Sequence, residues 1–223
     1  MLPPEISSSS KILDNIPVLP PCDSLIWGHG ALLDAIQRSR IFDDSKTFVD
    51  LKLKYPEEKV IQAFWKLPGA PKPNRSDLRQ FVEDYFSMEQ NLEFEDWDPQ
   101  DWIEHPKYLD SLKRPALIYV GHEINKLWNF LSKKCSKDLE VNSKLFSKLF
   151  LHHGFVMPGG RFREIYYWDT YWIIKGLLVS GMYETVEGIL GNFLEQIRRF
   201  GHIPNGTRIY YERRTQPLSL IHI

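Results

Sequence analysis

The chain has 223 residues, enough for one large domain or two small ones around a sizeable core. Its 28 Lys and Arg against 29 Asp and Glu leave a formal charge of −1, so nothing in the charge balance points to a nucleic acid or another polyanion. No run approaches the roughly 18–20 apolar residues of a membrane span, and the two cysteines, Cys22 and Cys135, exclude a disulfide scaffold or a cysteine-based zinc site.

The N-terminal MLPPEISSSSK has no basic stretch followed by an apolar one and does not read as a signal peptide. Its Pro and Ser content, with Pro17, Pro20 and Pro21 behind it, predicts a disordered or extended lead-in over residues 1–21. Helical periodicity then dominates. Leu32, Leu33 and Ile36 recur at i, i+1 and i+4, and Val60, Ile61, Phe64 and Trp65 repeat the pattern. Phe81, Val82, Tyr85 and Phe86 follow the start signal Asn74-Arg75-Ser76-Asp77. Between the first two helices, Thr47-Phe48-Val49-Asp50-Leu51 reads as a candidate extended segment. Segment 115–134 carries Leu117, Ile118, Val120, Ile124, Leu127, Trp128 and Leu131 and predicts one long amphipathic helix. Segment 167–180 is apolar on most sides, which predicts a helix buried on more than one face, with Gly181 as its stop. Segment 183–200 places Val186, Ile189, Leu190, Phe193, Leu194 and Ile197 on one stripe. Thr207-Arg208-Ile209-Tyr210-Tyr211 follows an Asn-Gly turn and is the second candidate strand.

The fold class is therefore mostly α, with short irregular or extended N-terminal segments. The later helices come as pairs with short, Gly-rich connections, the way an α/α toroid is built from inner helices around a pocket and outer helices over them. No fixed period repeats, which excludes a solenoid. The last six residues, LSLIHI (218–223), coincide with one reading frame of a transposon-end adapter used in sequencing libraries, and are expected to be a cloning or assembly scar. A natural hydrophobic terminus is the alternative.

Aromatics make up 13% of the chain, and many sit beside acids, Arg or Asn. That mixture suits a sugar-binding cleft and equally a packed helical core. The densest such stretch is Pro158-Gly159-Gly160-Arg161-Phe162-Arg163-Glu164-Ile165-Tyr166-Tyr167-Trp168-Asp169-Thr170-Tyr171. Its glycine pair lets the backbone turn without a Cβ clash. Its charges are then either an arginine–carboxylate network pinning a loop to a helix start, or a polar pocket floor with Trp168 as a stacking face. Residues 201–217 hold a second polar stretch, readable as a hydrogen-bonding rim or as a hairpin with solvated arginines.

PGGRFREIYYWDTYW resembles the first signature of the trehalases, the inverting glycoside hydrolases of family 37, and IPNGTRIYYERRTQP is similar to the family's next segment. Upstream, Asp44-Ser45-Lys46-Thr47-Phe48-Val49-Asp50 and Cys22-Asp23-Ser24 resemble two further family elements. The match runs from about Cys22 to Pro217, so residues 22–217 are expected to form an incomplete catalytic domain, about half of the family's (α/α)6 toroid.

The resemblance implies cleavage of trehalose into two glucoses with inversion, by one carboxyl that protonates the glycosidic oxygen and a second that activates water. It implies no metal and no organic cofactor, and trehalose and glucose as ligands. The family's sugar contacts fall on Arg161, Trp168, Asp169, Asn205, Arg214 and Gln216. Arg163 and Glu164 also match and are assigned to pairing behind the pocket, with direct contact to ligand as the alternative. The family's acid, an Asp, and base, a Glu, belong to the second half of the toroid, and Asp169, Glu164 and Glu212 do not match either motif. No catalytic residue is therefore assigned, and the chain as it stands is expected not to hydrolyse trehalose. Half a toroid should also leave apolar helix faces open and associate with itself. Gly28 stands where secreted animal members often carry a second cysteine, so no local disulfide is expected at Cys22, and Cys135 reads as an exposed or half-buried thiol. Asn74-Arg75-Ser76 and Asn205-Gly206-Thr207 are formal glycosylation sequons, and a glycan at the second would block the expected pocket. His152, His153 and His202 make no metal pattern. Three functions compete: part of a trehalose-hydrolysing enzyme, a non-catalytic sugar-binding or regulatory trehalase-like protein, and a toroid hydrolase for another disaccharide.

Overall fold

Short polar side chains set three of the helix starts among the described residues, at Asp44, Asn74 and Ser136. The structure, a computed structural model, describes residues 22–89 and 91–216; the lead-in expected over 1–21 and the tail expected over 218–223 lie outside the described residues. Helix α1 (Ala31–Ser39) buries Leu32, Ala35 and Ile36 and ends at Arg40 in the left-handed region. Helix α2 (Ser45–Val49) occupies part of the segment read as a candidate strand. The Asp44 carboxylate accepts from the Lys46 and Thr47 amides at 2.7 and 2.9 Å, and this cap outweighs the β-propensity of Thr47, Phe48 and Val49. Helix α3 (Glu57–Phe64) carries Glu57 and Glu58 at its positive end. Helix α4 (Arg75–Tyr85) is capped by Asn74, whose side chain accepts from the Asp77 amide at 2.9 Å, as the start signal predicts.

Helix α5 (Pro115–Leu131) opens on a proline at its first turn, where the missing N–H costs nothing. It stops short of residue 134. Residues Ser132–Cys135 instead form strand β2, the centre of a three-stranded antiparallel sheet between β1 (Phe94–Asp96) and β3 (Phe155–Val156). The register sets Glu95 opposite Lys134 and Asp96 opposite Lys133. Both pairs close as ion pairs, at 3.3 and 2.7 Å. Short helix α6 (Lys137–Val141) follows. Helices α7 (Tyr167–Val179) and α8 (Tyr183–Phe200) are the pair expected from the sequence, joined across Gly181. After α8, the second candidate strand is only partly extended. Arg208 bridges Lys148, and Ile209–Tyr211 is a 3-10 turn.

Two apolar cores result. Cys22, Ile26, Trp27 and the inner faces of α1 to α4 make the first, which also takes in Tyr210. Gly28 packs against this core: a Cβ there would lie 2.3 Å from Cys22 Sγ and 2.9 Å from the Cys22 carbonyl oxygen. The second core joins the sheet to the inner faces of α7 and α8 through Phe155, Ile174, Leu177, Ile189 and Phe193. Trp128 of α5 leans on Gly176, and its indole N–H donates to Ser180 Oγ at 3.0 Å.

The outer faces of α5, α7 and α8 are apolar and open. On α5 the buried residues are Gly121 and Asn125, while Leu117, Val120, Ile124 and Leu127 are about half exposed. Helix α7, expected to be buried on more than one face, buries Tyr167, Thr170, Ile173, Ile174 and Leu177 and exposes Trp168, Trp172 and Val179. On α8 the stripe splits, with Val186, Ile189 and Phe193 inside and Leu190, Leu194 and Ile197 outside. No described residues cover these three stripes. The described residues are mostly helical, and none of their helices is long and apolar enough to cross a membrane.

Candidate functional site

The glycine-led motif starts from a turn that needs its glycines. Gly159 and Gly160 have φ of 101° and 60°, and the Phe162 amide donates to the Gly159 carbonyl at 3.1 Å. The chain then alternates. Arg161 is exposed and Arg163 half-buried, whereas Glu164 is fully buried.

Glu164 gathers cations from three other segments. Its Oε1 accepts from Arg208 Nε, and Lys46 Nζ lies 3.9 Å from the same oxygen. Its Oε2 accepts from Thr207 Oγ1 at 3.0 Å and pairs with Lys148 Nζ at 2.9 Å. Arg208 also donates from Nη1 to Ser147 Oγ at 3.0 Å and from Nη2 to Glu93 Oε1 at 2.7 Å. Asp50 completes the group by pairing with Lys46 and accepting from the Tyr210 hydroxyl at 2.7 Å. Lys46, Lys148 and Arg208 thus balance Asp50, Glu93 and Glu164. Buried charge on this scale holds only when every member is paired.

The electrostatics follow from that packing. Burial pushes the Glu164 carboxyl up, but Arg208 first, then Lys148 and Lys46, outweigh it and hold the group at about 2. Burial likewise opposes the Arg208 charge, and Glu164, then Asp50, Tyr210 and Glu93, raise it well above its ordinary value. The Tyr210 hydroxyl is raised, by burial first. At neutral pH Glu164 is an ionised acceptor with no proton to give.

This arrangement matches neither motif reading in full. The carboxylate network exists, but its cations come from residues 46, 148 and 208 and not from Arg161 or Arg163. The solvated-hairpin reading of the second polar stretch is corrected at Arg208, which is 1% exposed. Thr207 of the Asn205-Gly206-Thr207 sequon is also buried, with its hydroxyl bonded to Glu164. Lys46, Asp50, Glu93 and Lys148 were not singled out from the sequence. Lys46 and Asp50 lie in a matched element, a usable signal. Glu93 and Lys148 give none, because only the fold brings them to Arg208.

Of the six expected sugar contacts, four are joined by direct bonds. The Trp168 amide donates to Gln216 Oε1 at 2.7 Å. The Asn205 amide donates to the Arg214 carbonyl at 2.7 Å, and the Asn205 carbonyl accepts from the Tyr167 amide at 3.3 Å. Tyr166 bridges Gly206 alongside. The Arg214 guanidinium rests over the Tyr211 ring, 4.7 Å from its centroid. Asp169 sits in the first turn of α7, half-buried beside the exposed Trp168 ring. The first turn of α7 and residues 205–216 therefore form one open face of rings, guanidinium and amides.

Arg161 lies apart, on a cleft of about 340 Å³. Asp44, Lys46, Asp50, Glu93, Arg163 and Arg208 also line it, so the charge network forms its floor. The Asp44 carboxyl there is held below its ordinary value by the Thr47 and Lys46 amides, with a small contribution from Arg161. Among the other acids, Glu212 is half-buried and raised by burial, with Arg199 and Arg213 acting in the opposite direction. Among the described residues no group of three or more His, Cys, Asp or Glu could hold a metal ion.

The sequence profile of the family described as Trehalase matches residues 40–222. Over 203 residues the chain is 45% identical to Trehalase of Apis mellifera, covering 90% of this chain and 32% of that protein. It is 42% identical over 200 residues to Trehalase of Oryctolagus cuniculus, and 40% identical over 200 residues to Trehalase of Homo sapiens. Each of these two matches covers 89% of this chain and 34% of the relative. The chain thus spans about a third of the length of the curated relatives it matches.

Proposed function

This chain belongs to the trehalase family, and on that basis we propose that it supplies the sugar-binding part of an inverting hydrolase of α,α-trehalose. Residues 22–217 form part of an (α/α)6 toroid in this reading, with the α7–α8 pair at its pocket. The observation that carries the proposal is the locking of two distant segments into one face by the Trp168–Gln216 and Tyr167–Asn205 bonds. Trehalose is uncharged, so a site for it needs rings to stack on pyranose faces and forked donors for hydroxyls. Trp168 supplies a half-exposed ring, and Arg161 and Arg214 present planar guanidinium groups at the surface. Asp169, Asn205 and Gln216 complete the set for ring hydroxyls.

The chemistry itself belongs to groups outside this face. Inversion takes an acid and a base roughly 6.5–9.5 Å apart with water between them. Glu164 fails as either, being fully buried and consumed by its cations. The acid and base are assigned to the part of the family's domain that this chain does not span. Taken alone, the chain binds sugar without cleaving it.

Glucose release tests both halves of the proposal. The chain alone is expected to release no glucose from trehalose, and measurable turnover would overturn the assignment. In the longer protein read from its transcript, Arg161→Ala and Arg214→Ala should each lower kcat/KM by roughly 10–100-fold, the weight of a charge-assisted hydrogen bond. Unchanged kinetics in Arg214→Ala would reject the face described above, and unchanged kinetics in Arg161→Ala would remove the cleft from sugar binding. A natural stop after residue 223, together with trehalose binding and no turnover, would make the protein a non-catalytic sugar binder.

A further inference from the structure

A second constellation lies on the far edge of the second core and plays no part in sugar recognition. Residues 102–112 run along α5 and are fastened to it at several points. The Trp102 indole N–H donates to the Asn125 carbonyl at 3.0 Å, and Asn125 Nδ2 donates to the Ile103 carbonyl at 2.8 Å. The Tyr108 hydroxyl donates to the Gly121 carbonyl at 2.9 Å. The approach is close, since a Cβ on Gly121 would fall 2.4 Å from Leu109 Cδ2. These bonds fix where the two histidines on this edge meet.

His105 Nδ1 lies 3.3 Å from His122 Nε2, with ring planes at 48°. The other nitrogen of His105, Nε2, lies 2.9 Å from Asp110 Oδ1. A carboxylate accepts, so the neutral His105 tautomer that suits this contact carries its proton on Nε2 and turns the Nδ1 lone pair towards His122. Two imidazole nitrogens bound to one tetrahedral zinc at 2.0–2.1 Å are themselves about 3.3 Å apart. A carboxylate on the far nitrogen of a ligating imidazole is the recurring support of such ligands.

From this geometry we infer that His105 and His122 form a two-imidazole site for a divalent transition metal, with Asp110 orienting His105. Zn²⁺ and Cu²⁺ suit imidazole donors. In the free protein the His122 Nε2 proton bridges the two rings. On binding, that proton moves to His122 Nδ1, and the metal takes the two facing lone pairs with water in its remaining positions. The ion would staple residues 102–112 to α5. The site is independent of the sugar-binding reading.

Calorimetric titration of the soluble fraction of the full chain with Zn²⁺, and separately with Cu²⁺, tests the site. One equivalent is expected to bind. His105→Ala and His122→Ala should each weaken it by at least about tenfold, and Asp110→Asn by about tenfold, the range for a group behind a ligand. His152→Ala, at a histidine paired with Glu195 on α8, should leave binding unchanged. His105 and Asp110 are exposed and His122 is half-buried, so far-UV circular dichroism should match across the series. His122→Asn gives a milder check on folding. Trace Cu²⁺ should broaden the ring-proton signals of His105 and His122 before those of the other histidines. Absence of binding, wild-type affinity in either alanine variant, or prior broadening at His152 or His202 would each overturn the site.

Discussion

Glu164 shows how one side chain can tie together motifs far apart in sequence. Lys46, Lys148 and Arg208 reach it from three segments. Replacing it with Gln keeps the shape but leaves buried Lys148 and Arg208 short of a counter-charge, and should destabilise the fold by about 3–5 kcal/mol, read from the urea midpoint. The same carboxyl should shape the acid limb of stability. Its folded value of about 2 lies below the ordinary 4.5, so falling pH protonates the unfolded chain first. The stabilisation it provides is complete above about pH 4.5 and is lost as pH falls towards 2. In Glu164→Gln that loss should be absent, and a wild-type slope in the variant would assign the acid limb to other groups. The sequence put Glu164 in a charged cluster and could not name its partners. Arg161 and Arg163 are its neighbours along the chain, but backbone alternation places them on the cleft while Glu164 turns inward.

Helices were legible where capping and periodicity agreed. Asn74 starts α4 and Gly181 separates α7 from α8, both as the local residues dictate. Two elements went the other way. Asp44 turned 45–49 into helix α2, a capping signal that β-branched residues had masked. Strand β2 took 132–135 from the end of α5, because Glu95 and Asp96 offer Lys133 and Lys134 partners across the sheet. The α2 cap can be tested. Asp44→Ala removes the acceptor of two amide N–H groups and should cost roughly 1 kcal/mol, up to 2, measured as a lowered melting temperature. Because α2 carries Lys46, that variant should also lose part of the Glu164 network, whereas Asp44→Asn should retain most of the stability.

At the scale of the molecule, the helices present more apolar surface than the described residues cover. Phe130 on α5, Trp172 on α7 and Leu194 on α8 are each more than half exposed, and every one belongs to a stripe. Contiguous surface of this kind seeks a partner. The isolated chain is therefore expected to bind a hydrophobic dye such as ANS strongly and to sediment as oligomers or aggregates. A monodisperse monomer with weak dye binding would count against the toroid reading, in which these faces pack against further helices. Periodicity alone does not decide the fate of such a face. A stripe of Leu117, Val120, Ile124 and Leu127 says that a face is apolar, but not whether anything in this chain covers it.

Local chemistry along the chain was sufficient for the mostly helical class, the α7–α8 pairing and the motifs that mark the family. These follow from dihedral preference, capping and side-chain period, which act within a few residues. The tertiary structure alone decided which charges are buried and which are open. It sent Glu164 and Arg208 into one neutral network and left Arg161 on a cleft. It joined Trp168 to Gln216 and set His105 against His122. Each of those outcomes is a contact between distant segments, and its energy depends on desolvation and distance, quantities that exist only once the chain has closed on itself.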